Sequence, residues 1–149
     1  MRHLRTFLLL AAALVLIAGC GTSSSPDLTG SWLGQTTSGG GGTAVTFTVT
    51  MQEGALNGNS ASVTISNFVF QTQNSCFDNT ATASGTVTTG TPRTLSGNVA
   101  SGPGNPGNSL TFNMQVAADN NSASGTYSLV GGNGGCIAND NGSLTFTRQ

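Results

Sequence analysis

The sequence predicts an all-β domain: an antiparallel up-and-down β-barrel of about eight to ten strands, with a two-sheet β-sandwich as the runner-up. Three observations predict it. Apolar and polar side chains alternate with period two, with Val45, Phe47, Val49 and Met51 set against Thr46, Thr48 and Thr50. Leu110, Phe112, Met114 and Val116 alternate in the same way with Thr111, Asn113 and Gln115. Such alternation gives a strand one apolar and one wet face. No window carries a helical stripe, and the 22 glycines weaken any helix. Gly-, Asn- and Pro-rich turns punctuate the chain at short intervals, as antiparallel neighbours require. Closure into a barrel removes the unpaired edges an open sheet exposes.

Taken in order, Leu28, Gly30, Trp32 and Gly34 share one parity and open the first strand. The run from Val45 to Met51 follows a turn at 39–42 and ends at an expected turn on Glu53 and Gly54. Leu56 and Gly58, then Val63 and Ile65, continue the pattern. Phe68 and Phe70 fall on the opposite parity, which a bulge near Ser66 and Asn67 reconciles. Val87, the pair Leu95 and Val99, the run from Leu110, the pair Tyr127 and Leu129, and the pair Leu144 and Phe146 complete the strands. Turns are expected at 90–92, 102–107, 119–121 and 131–135. A faint repeat runs through the chain: a Thr-Phe strand start, then a cysteine, then a Gly-led strand (Thr46, Cys76, Gly85; Thr111, Cys136, Gly142). Duplication and convergence on hairpin composition explain it equally.

Ahead of the barrel, Arg2 and Arg5 precede an apolar run over residues 7–18 that ends Ile17-Ala18-Gly19-Cys20. The run is short of the roughly 20 residues a membrane helix needs and has the build of a secretory leader. Ile17-Ala18-Gly19-Cys20 resembles the lipobox of bacterial lipoproteins. The resemblance implies a signal peptide over 1–19, lipid on Cys20 and a lipidated tether over 20–27; the alternating pattern beyond it puts a single barrel domain over 28–149. The lipobox resemblance further implies a bilayer anchor through several acyl chains, which hold far better than one. In that family an aspartate directly after the cysteine resembles an inner-membrane retention signal; Gly21 stands there instead, which implies an outer-membrane address in the cell envelope.

Removing residues 1–19 of the 149 leaves 130, enough for one domain. Only Arg93 and Arg148 then remain basic, against Asp27, Glu53, Asp78, Asp119 and Asp140. Nucleic acid is a poor partner for such a surface. The one histidine, His3, lies in the leader, so histidine acid–base chemistry and histidine metal sites are not expected. With Cys20 lipidated, Cys76 and Cys136 form an even pair in an oxidising compartment and are expected as a disulfide; the alternative is two buried thiols.

Gly30-Ser31-Trp32 resembles the Gly-X-Trp opening of the calycins, the lipocalin and avidin superfamily. That resemblance implies a barrel whose opening tryptophan pairs with a basic residue of the last strand. Arg148 shares the parity of Leu144 and Phe146 and is its match. The plainer alternative makes Trp32 a core aromatic and Arg148 a solvated terminal charge.

Inward positions Phe47, Met51, Phe112, Met114, Tyr127 and Phe146 either line a ligand pocket or fill the core, and the modest length favours filling. The segment 138–142 and the triplet Asp119-Asn120-Asn121 read as turns, so neither metal nor cofactor is expected. Asp78 and Asp140, each just after a cysteine, are the one candidate acid pair and read as solvated turn acids. The expected function is therefore non-enzymatic: a membrane-anchored envelope lipoprotein serving as a structural or binding module, with another envelope protein as one candidate partner. The alternative is a lipocalin-like carrier of a small hydrophobic ligand, and an enzyme using Asp78 and Asp140 comes third.

Overall fold

The computed structural model describes residues 27–42, 44–72, 74–137 and 139–149. The expected leader, Cys20 and the expected tether up to residue 26 lie outside the described residues. Eight strands form the fold: β1 (Gly30–Ser38), β2 (Val45–Asn57), β3 (Ser60–Phe70), β4 (Thr82–Thr88), β5 (Thr94–Ala100), β6 (Ser109–Val116), β7 (Ser122–Val130) and β8 (Asn141–Arg148). Each pairs antiparallel with its sequence neighbour, and β1 also pairs with β8, closing an up-and-down barrel.

The period-two pattern decides what faces inward. In β6, Leu110, Phe112, Met114 and Val116 are buried while Thr111, Asn113 and Gln115 are exposed. The apolar face is the inner one and the outer one is largely Thr, Ser and Asn, the reverse of a lipid-facing barrel. In β3 the parity switch is met by a bulge. Asn67 takes a left-handed φ of 55°, and the register with β2 shifts between Thr48 and Thr50. Phe68 thereby turns inward along with Val63 and Ile65.

The turn expected at Glu53 and Gly54 is corrected. β2 runs through both as an irregularity in its pairing with β3, and the hairpin turns at Gly58 (φ 60°) and Asn59 instead. The strands lie close at Gly54, where a Cβ would stand 2.6 Å from Ser62 Oγ and a rotation of that hydroxyl would be needed to admit it. Glu53 does not turn the chain but accepts the Leu28 N–H (2.8 Å) and an Arg93 N–H (2.7 Å).

The barrel has two different ends. At the base lie residues 27–29, the 58–59, 89–93 and 117–121 turns, and the end of β8. Leu28, Trp32, Met51, Leu95 and Met114 are almost fully buried and fill this half. At the other end, the mouth, stand the described residues of the loops 39–44, 71–81, 101–108 and 131–140. Cys76 and Cys136 lie in the loops before β4 and β8, matching places in the two four-strand halves. They form a disulfide there, with Cα atoms 4.6 Å apart.

Candidate functional site

The mouth half of the barrel is hollow. A cavity of about 270 Å³ opens there, lined by aromatic side chains, Val99, Leu110, Leu129 and the disulfide. The expectation of a filled core therefore applies to the base half and not to the mouth half. Of the inward residues singled out in the sequence, Phe47, Phe112, Tyr127 and Phe146 line the cavity. Met51 and Met114 do not. Met51 pairs with Gly30 and Met114 with Leu95, at the heights of the base, where they are packed. Parity placed all six inside, but only position along the strand separates lining from filling.

Three further rings complete the wall: Phe68, Phe70 and Phe77. Phe47 packs against Phe68, Phe70 and Phe146 with centroids 5.5 to 5.9 Å apart. The parity switch in β3 was the signal for Phe68 and Phe70. Phe77 sits in a loop, where no period marks it. Gly34 makes room for this cluster, because a Cβ there would stand 2.5 Å from Phe47 Cε2 and 2.9 Å from Phe146 Cε1.

The disulfide joins two mouth loops, and Asn108 holds a third against them. Its buried amide donates to the carbonyls of Cys76 (3.1 Å) and Asn133 (3.2 Å) and accepts the Asn133 N–H (3.3 Å). In the sequence Asn108 reads as one more turn residue. Its structural part depends on loops 25 and 32 residues away.

Among the polar residues of the lining, which include Thr36, Asn74 and Ser75, a bonded group forms around Asp140. Tyr127 on β7 donates its hydroxyl proton to Asp140 Oδ2 (2.7 Å), and Ser38 at the end of β1 donates to Oδ1 (2.8 Å). Both side chains and the carboxylate line the cavity. Burial alone raises the Asp140 carboxyl pKa. The bonds from Tyr127, Ser38 and the backbone N–H groups of Asn141 and Gly40 outweigh it, leaving the group below its ordinary value and ionised at neutral pH. Burial, then the bonded carboxylate, push the Tyr127 hydroxyl well above its ordinary value, so it stays protonated.

Asp78 stands elsewhere on the rim. It accepts the Thr80 hydroxyl and N–H, bonds that hold its carboxyl below the ordinary range, and it bonds the Gly104 N–H. No hydrogen bond joins it to Asp140 among the described residues. Asp119 caps its own turn through the Asn121 N–H (3.0 Å).

At the base, the Trp32 indole N–H donates to the Leu28 carbonyl (2.8 Å) and its ring lies under Arg148. The Arg148 guanidinium donates to the carbonyls of Thr29 (2.7 Å), Asp27 (2.5 Å) and Asn120 (3.3 Å). Arg93 bridges Glu53 and Asn120 Oδ1 (2.6 Å) beside it.

No protein-family model matches the chain. No curated protein matches it. A solved structure described as EF1p2_mFAP2b bound to DFHBI is similar, with a TM-score of 0.52 and 15% sequence identity, covering 82% of this chain and 94% of that one. At that identity the likeness is one of fold, and the fold here is a closed eight-strand antiparallel up-and-down barrel.

Proposed function

We propose that this protein is a non-enzymatic lipoprotein of the bacterial cell envelope that holds a small, largely apolar molecule in the mouth half of its barrel. The observation that carries the reading is the cavity itself. It is enclosed by strand walls, lined by seven aromatic rings and a few polar groups, and only just under the roughly 300 Å³ where drug-sized pockets begin. A stable barrel gains by filling such space, about 25 cal/mol for each Å² of apolar surface buried. Leaving it open fits a binder better than a scaffold. The similar barrel binds DFHBI by its description, which supports a ligand-holding role for this one.

The lipobox resemblance supplies the location. Lipid on Cys20 would tether the chain to a membrane, with the outer membrane favoured by Gly21. The described chain enters at Asp27, at the base. A tether there points the mouth away from the bilayer, toward solvent and its ligand. Against catalysis, Asp140 is held ionised by neutral donors, and Asp78 has separate partners.

The test is titration of the Cys20→Ser chain, free of acyl groups, with the neutral dye N-phenyl-1-naphthylamine, which fluoresces in apolar surroundings. A saturable rise with one site per chain, lost in a Val99→Phe variant that fills the cavity, is the expected result. No rise, or a rise that Val99→Phe leaves intact, overturns the proposal.

A further inference from the structure

The cavity is apolar over most of its wall, yet the single charge that the described residues place on that wall is negative. Asp140 lines it, with Tyr127 and Ser38 bonded to its two oxygens. These donors are neutral, as are the Gly40 and Asn141 N–H groups, so the carboxylate is solvated but its charge is not cancelled. A second acid, Asp78, lines a shallow groove that shares Phe70, Asn74 and Phe77 with the cavity wall. Among the described residues no cation balances either acid at this end. The two arginines of the described chain are at the base, Arg93 on Glu53 and Asn120, Arg148 on Trp32 and three carbonyls.

We infer that the ligand is a protonated amine with a compact apolar or aromatic body, its body among the phenylalanines and its nitrogen at the Tyr127–Asp140 side of the mouth. Three features favour this class over a fatty acid or other apolar anion. An uncancelled carboxylate at the mouth attracts a cation and repels an anion, and it does so more strongly beside low-dielectric walls than in water. Aromatic rings next to it add attraction for an ammonium group. The Tyr127 hydroxyl keeps its proton but points it at Asp140 in a hydrogen bond, so what its oxygen offers the cavity is lone pairs, which an N–H donor fits. Electroneutral apolar molecules gain burial among the rings but no charge attraction from the carboxylate.

This inference rests on the cavity being a binding site, and the experiment separates the two. Three indoles of similar size and different charge are titrated calorimetrically into the Cys20→Ser chain at pH 7: tryptamine, tryptophol and indole-3-propionate. The expected order is tryptamine tightest by about tenfold, then tryptophol, then indole-3-propionate. Asp140→Asn, which keeps an acceptor but removes the charge, should cost tryptamine about tenfold and change tryptophol by less than about twofold. Tyr127→Phe keeps the ring and should weaken tryptamine alone, which retains a test if the Asp140 variant does not fold. Equal affinity for all three, or a preference for the propionate, overturns the amine inference while leaving the cavity as a site. Binding of the neutral dye with none of the indoles does the same. Failure of the dye and of all the indoles overturns both readings.

Discussion

Arg148, next to the last residue of the chain, lies over the indole of Trp32, its guanidinium carbon 4.8 Å from the ring centroid. The two residues are direct partners across the β1–β8 seam that closes the barrel. The guanidinium also ties the entering segment 27–29 and the 117–121 turn to that seam through carbonyl bonds. One cation thus joins both ends of the domain over a buried aromatic base.

Truncating either partner should loosen this closure. Trp32→Ala is expected to cost about 3–5 kcal/mol, and Arg148→Ala about 1.5–3 kcal/mol. The double variant should be less destabilised than the sum of the singles, because the stacking is lost only once. Urea unfolding of all four proteins measures this. Additive losses, or a Trp32→Ala cost under about 1 kcal/mol, contradict it.

The disulfide closes a loop of 60 residues between the two halves. Replacing both cysteines with serine should lower stability by about 2–4 kcal/mol. It should also free the loops that frame the mouth, so dye binding falls more than unfolding at the working temperature accounts for. Unchanged hydrogen exchange in residues 71–81 and 131–140 would count against that link.

Gly34 leaves the space that the Phe47 and Phe146 rings occupy. Gly34→Ala should force Phe47 aside and cost about 1–3 kcal/mol. The displaced ring should intrude on the cavity, so the neutral dye binds more weakly in the folded variant. Equal dye affinity in a folded Gly34→Ala protein would show that the rings adjust without using cavity space.

Asp140 titrates below its ordinary value in the fold, despite burial, because Tyr127, Ser38 and two backbone N–H groups bond its charged form. A depressed carboxyl contributes stability above its unfolded pKa of about 3.9, and that contribution disappears as pH falls through the lower folded value. Tyr127→Phe removes one donor. Carbon-detected NMR titration should then find the Asp140 carboxyl protonating at higher pH than in the parent, and the acid-side loss of stability should shrink. Asp78, held by Thr80, should not shift. An unmoved Asp140 titration would mean the Tyr127 bond is not stabilising the carboxylate.

Cys20→Ser tests the anchor. In a bacterial host, metabolic labelling with a radiolabelled fatty acid should mark the parent chain and not the variant, and the variant should leave the membrane fraction. Equal labelling of both would remove the lipoprotein reading while leaving the cavity untouched.

Much of the architecture was legible in side-chain order. A strand repeats every two residues, so Thr against Val and Phe said which residues face inward and which face water. The opposed parity of Phe68 and Phe70 gave the bulge at Asn67, and the even count after Cys20 gave the Cys76–Cys136 pair. Arg148 fell on the inward face for the same reason. Alternation is silent, however, about height along the barrel axis. It put Met51 and Phe47 on one face without showing that Met51 packs the base while Phe47 walls a void. Glu53 looked like a turn because its carboxylate's partners, Leu28 and Arg93, are 25 and 40 residues away. Asp140 looked like a solvated loop acid until β1 and β7 brought Ser38 and Tyr127 to it. The inward set was a local property of the chain. The void, and the charge at its mouth, came from how strands of unequal length and bulk meet across the closed barrel.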